Sequence, residues 1–108
     1  MSEQKIYNKL IRDRIPEIIQ QDSFRCEVDV LEPSDYANKL NQKLKEELKE
    51  YYEKEDIGEL ADLVEVVYAI LAFRGVCIEE FEKIRLDKKL ARGGFEKRLY
   101  LKKVLRGG

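Results

Sequence analysis

The 108-residue chain contains no histidine and no tryptophan, and only two cysteines, two prolines, six glycines and one methionine. Without imidazole there is no Ser-His-Asp or Cys-His nucleophile system, and the zinc sites that need histidine are excluded. Cys26 and Cys77 stand far apart in no CxxC pattern, so they make no structural zinc site and read as reduced thiols. No GxxxxGK[ST] or GxGxxG is present, which removes the P-loop and the dinucleotide turn. The longest apolar run, Val66 to Phe73, falls far short of the roughly 18 residues a membrane span requires. The polar start Met1-Ser2-Glu3-Gln4-Lys5 leads into no apolar h-region. A cytoplasmic protein with no membrane partner is expected. Any catalysis falls to carboxylates, lysines, arginines and a hard metal ion.

What is present is charge, at 40% of residues, beside 44% hydrophobic residues, close to the composition of a helical bundle. The length suits one domain, 1–108. The net charge of −1 hides a division. Residues 1–82 carry 11 basic and 20 acidic side chains (net −9), whereas residues 83–108 carry 10 and 2 (net +8). Such asymmetry points to a polyanion or to an internal electrostatic partner.

The pattern predicts four helices and a small β element. Leu10, Ile11, Ile15, Ile18 and Ile19 recur at helical spacing, with Pro16 in the first turn and Asp13 as the expected N-cap. Residues 24–31 alternate Phe24, Cys26, Val28 and Val30 with Arg25, Glu27 and Asp29, the pattern of a half-buried strand. The weaker alternation of 97–105 is its expected partner. From Pro33 to about Lys54 an amphipathic helix carries Ala37, Leu40, Leu44, Leu48 and Tyr51 on one stripe. A short turn leads to a helix over about 57–74, opened by an Asp56–Glu59 capping box and ended by Gly75. A last helix over 78–91 stops at Gly93-Gly94. Between Leu60 and Phe73 only Asp62 and Glu65 are ionisable. A helix apolar on every side must be covered, and so short a chain has little interior for it. A homo-oligomer, dimer or tetramer, is therefore expected.

Four acids fall into register across the predicted hairpin. Glu47 and Glu50 on the first long helix, and Glu59 and Asp62 on the second, are i,i+3 pairs. A fold about position 54.5 sets Glu50 level with Glu59 and Glu47 level with Asp62. At about 100° per residue, Glu47 lies about 60° from the apolar centre, Glu50 about 120° and Glu46 about 160°. Four converging carboxylates repel unless a cation compensates them, and an oxygen-only set suits Mg²⁺ or Mn²⁺.

Glu46-Glu47-Leu48-Lys49-Glu50 followed by Glu59-Leu60-Ala61-Asp62 resembles the EExxE…ExxD signature of the all-α nucleotide pyrophosphohydrolases, the MazG-like superfamily. Tyr7-Asn8-Lys9-Leu10-Ile11-Arg12-Asp13-Arg14-Ile15-Pro16 and Arg92-Gly93-Gly94-Phe95 resemble its phosphoribosyl-ATP pyrophosphohydrolase-like subgroup. The resemblance implies an antiparallel helical bundle and Mg²⁺-dependent hydrolysis of nucleoside triphosphates to monophosphate and pyrophosphate, often to clear non-standard nucleotides. It implies metal ligands at Glu47, Glu50, Glu59 and Asp62, and phosphate contacts at Lys88 and Arg92. Lys9, Arg12 and Arg14 are further phosphate candidates, since arginine grips phosphate oxygens bidentately. Glu46, Glu47 and Glu50 form the catalytic set, with Glu46 assigned to orienting the attacking water. Two competing functions are a catalytically silent family member and a regulatory or nucleic-acid-binding module built on the basic C-terminus. For the module the chain shows no helix-turn-helix and no basic strand interleaved with aromatics, so no nucleic-acid partner is expected.

Overall fold

The computed structural model describes residues 4–107. The polar start at 1–3, on which the leader expectation partly rests, lies outside the described residues. Four helices follow one another: α1 (Ile15–Gln21), α2 (Pro33–Lys54), α3 (Ile57–Phe73) and α4 (Ile78–Arg92). The chain divides into two compact units, 1–75 and 76–108.

In the first unit α2 and α3 pack as an antiparallel hairpin. Pro33 supplies the fixed φ and missing N–H that a first turn accepts. The two helices are separated by Glu55 and Asp56 alone, and Glu55 makes the turn in the left-handed region (φ 51°) while its N–H bonds back to Tyr51. So tight a link holds the register along the hairpin. At its far end Tyr36 meets Phe73 edge to face, ring centroids 5.5 Å apart. Leu40, 2% exposed, and Val66 form the buried apolar centre. Beside them lies Glu47, 8% exposed, a carboxylate at the edge of the packed face. The α3 helix ends at Phe73 with Arg74 as C-cap, and Gly75, φ 75°, follows in the left-handed conformation usual after a C-cap.

Three expectations need correction. Asp56 does cap α3 in extended conformation, but no side-chain cap bond forms, so the capping box is absent. The Glu59 carboxylate is instead turned toward Lys54. The N-cap of α1 is Arg14, one residue beyond Asp13, because the Ile15 N–H already closes a turn onto the Arg12 carbonyl. Among the described residues there is no β-strand, so the two-stranded element over 24–31 and 97–105 is not formed. Alternation sets which side chains share a face, but a ladder also needs a neighbouring backbone. Residues 24–31 find none, and Val30 stays 98% exposed.

In the second unit α4 stops at Gly93, φ 84°, after Arg92. Within it, Lys83 pairs with Asp87 at 3.1 Å and Arg85 with Glu82 at 2.8 Å. Leu90, Phe95, Leu99, Leu101, Val104 and Leu105 are exposed. Among the described residues no helix is long and apolar enough to cross a membrane. Nor is α3 fully covered, for Ile57, Val64 and Phe73 remain exposed on it.

Candidate metal centre

The site grows out of the helix register. Spacing of three places Glu59 and Asp62 on one side of α3, and the hairpin brings Glu47 of α2 to their height. Each of the three offers a carboxylate oxygen lying within 4.8 Å of the other two. An octahedral Mg²⁺ at about 2.1 Å from its ligands sets neighbouring oxygens about 3 Å apart and opposite ones about 4 Å apart. The 4.8 Å bound on the three oxygens is slightly wider than that octahedral span.

The two remaining acids flank this triad. Glu50 stands outside it, with its Oε2 held by Lys54 at 3.2 Å. Glu46 takes Lys9 at 3.2 Å and Lys43 at 3.4 Å on the same Oε1. Its side chain is 31% exposed against 36% for Glu50, the reverse of the order expected from helical angles. The residues preceding α1 lie over Glu46 through Lys9, a contact that helical angle cannot reveal.

Two cations belong to the cluster that sequence reasoning missed. Lys43 reaches Glu47 at 3.2 Å as well as Glu46, and Lys54 bridges Glu50 to Glu59, the latter at 3.5 Å. Their spacing was available: Lys43–Glu47 and Glu50–Lys54 are i,i+4 pairs on one helix. The hydrogen bond to Glu50, then the charge of Glu59, raise the pKa of Lys54 above the ordinary 10.5.

Of the phosphate candidates, Arg12 donates from Nη2 to Asp62 Oδ1 at 2.8 Å, and Lys9 holds Glu46. Asn8, at φ 47°, bends the backbone just before Lys9, and the Lys9 ammonium also lies 5.6 Å from the centre of the Tyr7 ring. Arg14 points elsewhere, to Glu17 at 3.2 Å. Lys88 and Arg92 lie on α4 in the second unit, with no ion pair to either among the described residues.

Chemically, three converging oxygens of a buried or half-buried carboxylate set can hold a hard divalent cation. Nearby cations can grip an anion such as a polyphosphate. Compared with known proteins, the chain matches no family model, no curated protein and no solved structure.

Proposed function

We propose that this chain is a Mg²⁺-dependent nucleoside triphosphate pyrophosphohydrolase of the MazG-like type, with Mn²⁺ as a substitute ion. The observation that carries the reading is the convergence of Glu47, Glu59 and Asp62, the carboxylates of both halves of the EExxE…ExxD pattern, on one point of the hairpin. Glu47, Glu59 and Asp62 would hold the ion, with Glu50, one of whose oxygens Lys54 takes at 3.2 Å, as the fourth ligand through its other oxygen. The bound ion supplies neutralisation of phosphate charge and a more acidic water. Glu46, one residue from Glu47, would orient the attacking water. Attack falls on the α-phosphorus, the α–β anhydride bond breaks, and pyrophosphate leaves with the electron pair. Lys9 and Arg12, which reach the cluster, take the β- and γ-phosphates, with Arg14, Lys88 and Arg92 as further contacts. Clearance of non-standard nucleotides in the cytoplasm is the role that suits this reaction.

The working form is a homo-oligomer, dimer or tetramer. Its support is the incomplete cover of α3, a helix apolar outside Glu59, Asp62 and Glu65, on which Ile57, Val64 and Phe73 remain exposed.

A second reading has its own observation. Each of the five acids already has a cationic partner: Lys9, Arg12, Lys43 or Lys54. In that reading the cluster is an ion-pair network and the protein a silent relative. Pyrophosphate release from a panel of nucleoside triphosphates, with and without Mg²⁺, separates the two. Metal-dependent release supports the hydrolase. No release from any nucleotide supports the silent relative.

A further inference from the structure

We propose that the segment carrying Lys9 and Arg12 is a cationic strap that occupies the acid cluster until a divalent ion displaces it. The inference rests on the metal-centre reading above and adds to it a competition built into the chain. Five carboxylates, Glu46, Glu47, Glu50, Glu59 and Asp62, meet four cationic side chains. The resting cluster is thus nearly balanced by the protein's own charges, and a divalent ion enters at the expense of some of them.

Structure decides which ones leave. Lys43 and Lys54 sit on α2 itself, one turn from the acids they hold, so helix geometry keeps them near. Lys9 and Arg12 belong to residues 4–14, which form neither helix nor strand. Their grip spans 37 and 50 positions of sequence, and their side chains are 41% and 55% exposed. They carry two positive charges, the charge of the incoming ion. Arg12 sits directly on Oδ1 of Asp62, one of the three carboxylates that would hold a metal ion. Once released, the two cations remain joined to α2 through residues 13–32, free to take phosphate oxygens. One segment therefore opposes metal binding and favours polyphosphate binding.

These opposite signs make the test. Mn²⁺ alone is titrated calorimetrically, at low ionic strength, into the full chain and into Arg12→Gln, Lys9→Gln, Arg12→Lys and Lys39→Gln. Inorganic tripolyphosphate is then titrated into each Mn²⁺-loaded chain. Helical circular dichroism checks that every variant is folded. Arg12→Gln and Lys9→Gln are expected to bind Mn²⁺ about three-fold more tightly, the scale of an exposed ion pair, and tripolyphosphate at least about three-fold more weakly. Arg12→Lys restores most of both, and Lys39→Gln, which removes one charge outside the cluster, changes neither. Trypsin cleavage after Lys9 and Arg12 in the unaltered chain accelerates on Mn²⁺ saturation. Equal Mn²⁺ affinity in all chains, with cleavage indifferent to the ion, overturns the strap and leaves the metal centre standing. Weakening of both ligands in Arg12→Gln overturns the strap too, since that marks a merely structural arginine. Absence of Mn²⁺ binding in every chain overturns the strap together with the metal centre.

Discussion

The α2–α3 hairpin and the unit that follows it spend their charges in different ways. In the hairpin, acids and cations are matched over short distances: Asp62 with Arg12 at 2.8 Å, Glu47 with Lys43 at 3.2 Å, Glu50 with Lys54 at 3.2 Å. In residues 83–108 ten basic side chains stand beside two acidic ones, and α4 carries local pairs such as Lys83–Asp87. The hairpin also buries Leu40 and Val66, whereas Leu90 and Phe95 lie open. The difference teaches where each unit's chemistry points. An acid cluster whose carboxylates are already paired is set up to exchange one cation for another. A basic surplus of ten side chains against two acidic ones over residues 83–108 suits an anionic ligand.

Breaking the hairpin side of this comparison gives the largest expected effect. Glu47→Gln removes the charge of a buried carboxylate proposed as a ligand, and is expected to lower Mg²⁺ affinity about 100-fold or more, with loss of hydrolysis. Glu46→Gln, one residue away, is expected to change metal affinity less than about three-fold and to lower turnover instead. Metal titration of the two variants side by side decides. Equal losses place the ion elsewhere on α2.

The basic unit is tested next. Lys88→Ala and Arg92→Ala are each expected to weaken nucleotide binding about ten-fold, the worth of one charge-assisted contact, while leaving the melting temperature within a few degrees. Parallel losses of stability and binding would make them structural residues. The exposed apolar surface yields a smaller, two-fold prediction. Light scattering at micromolar concentration is expected to give at least twice the 12.8 kDa chain mass, and a clean monomer contradicts the oligomer.

How much was legible beforehand follows from the range of each interaction. Helix–helix register was readable because Glu47, Glu50, Glu59 and Asp62 repeat at i,i+3 on either side of a short turn. Lys43 and Lys54 were equally readable, each standing four residues from an acid of the cluster on the same helix. Arg12 on Asp62 was not readable. The two are 50 positions apart, and the segment between residue 4 and α1 has no periodicity to fix its path. Residues 24–31 failed in the opposite sense, since Val28 and Val30 alternate as a strand does but no backbone pairs with them among the described residues.

That long-range pair also reshapes an expectation about Asp62. Four bare acids would repel, and Asp62→Asn would then raise stability without metal. Because Arg12 already holds Asp62 on the surface, the substitution trades lost attraction for lost repulsion. Its metal-free melting temperature is expected to move by only about 2–4 °C, while the rise that millimolar Mg²⁺ gives the unaltered protein disappears. Differential scanning calorimetry with Mg²⁺ and with chelator reads both.

The smallest effect belongs to Lys54. Its ammonium is stabilised by Glu50 and then Glu59, so its pKa in the folded chain lies above 10.5. A raised lysine pKa adds stability that is fully present below the unfolded value and is lost as pH rises through the folded one. Lys54→Met is therefore expected to lower the melting temperature slightly at neutral pH, with the difference from the unaltered protein shrinking above pH 10.5. A difference independent of pH over that range would detach Lys54 from the acids.

The most direct measurement is chromatographic identification of the products formed from nucleoside triphosphates in the presence of Mg²⁺ and of a chelator. Nucleoside monophosphate and pyrophosphate in equal amounts, with Mg²⁺ only and lost in Glu47→Gln, are the predicted result. Nucleoside diphosphate and phosphate, or no product from any nucleotide, would contradict it.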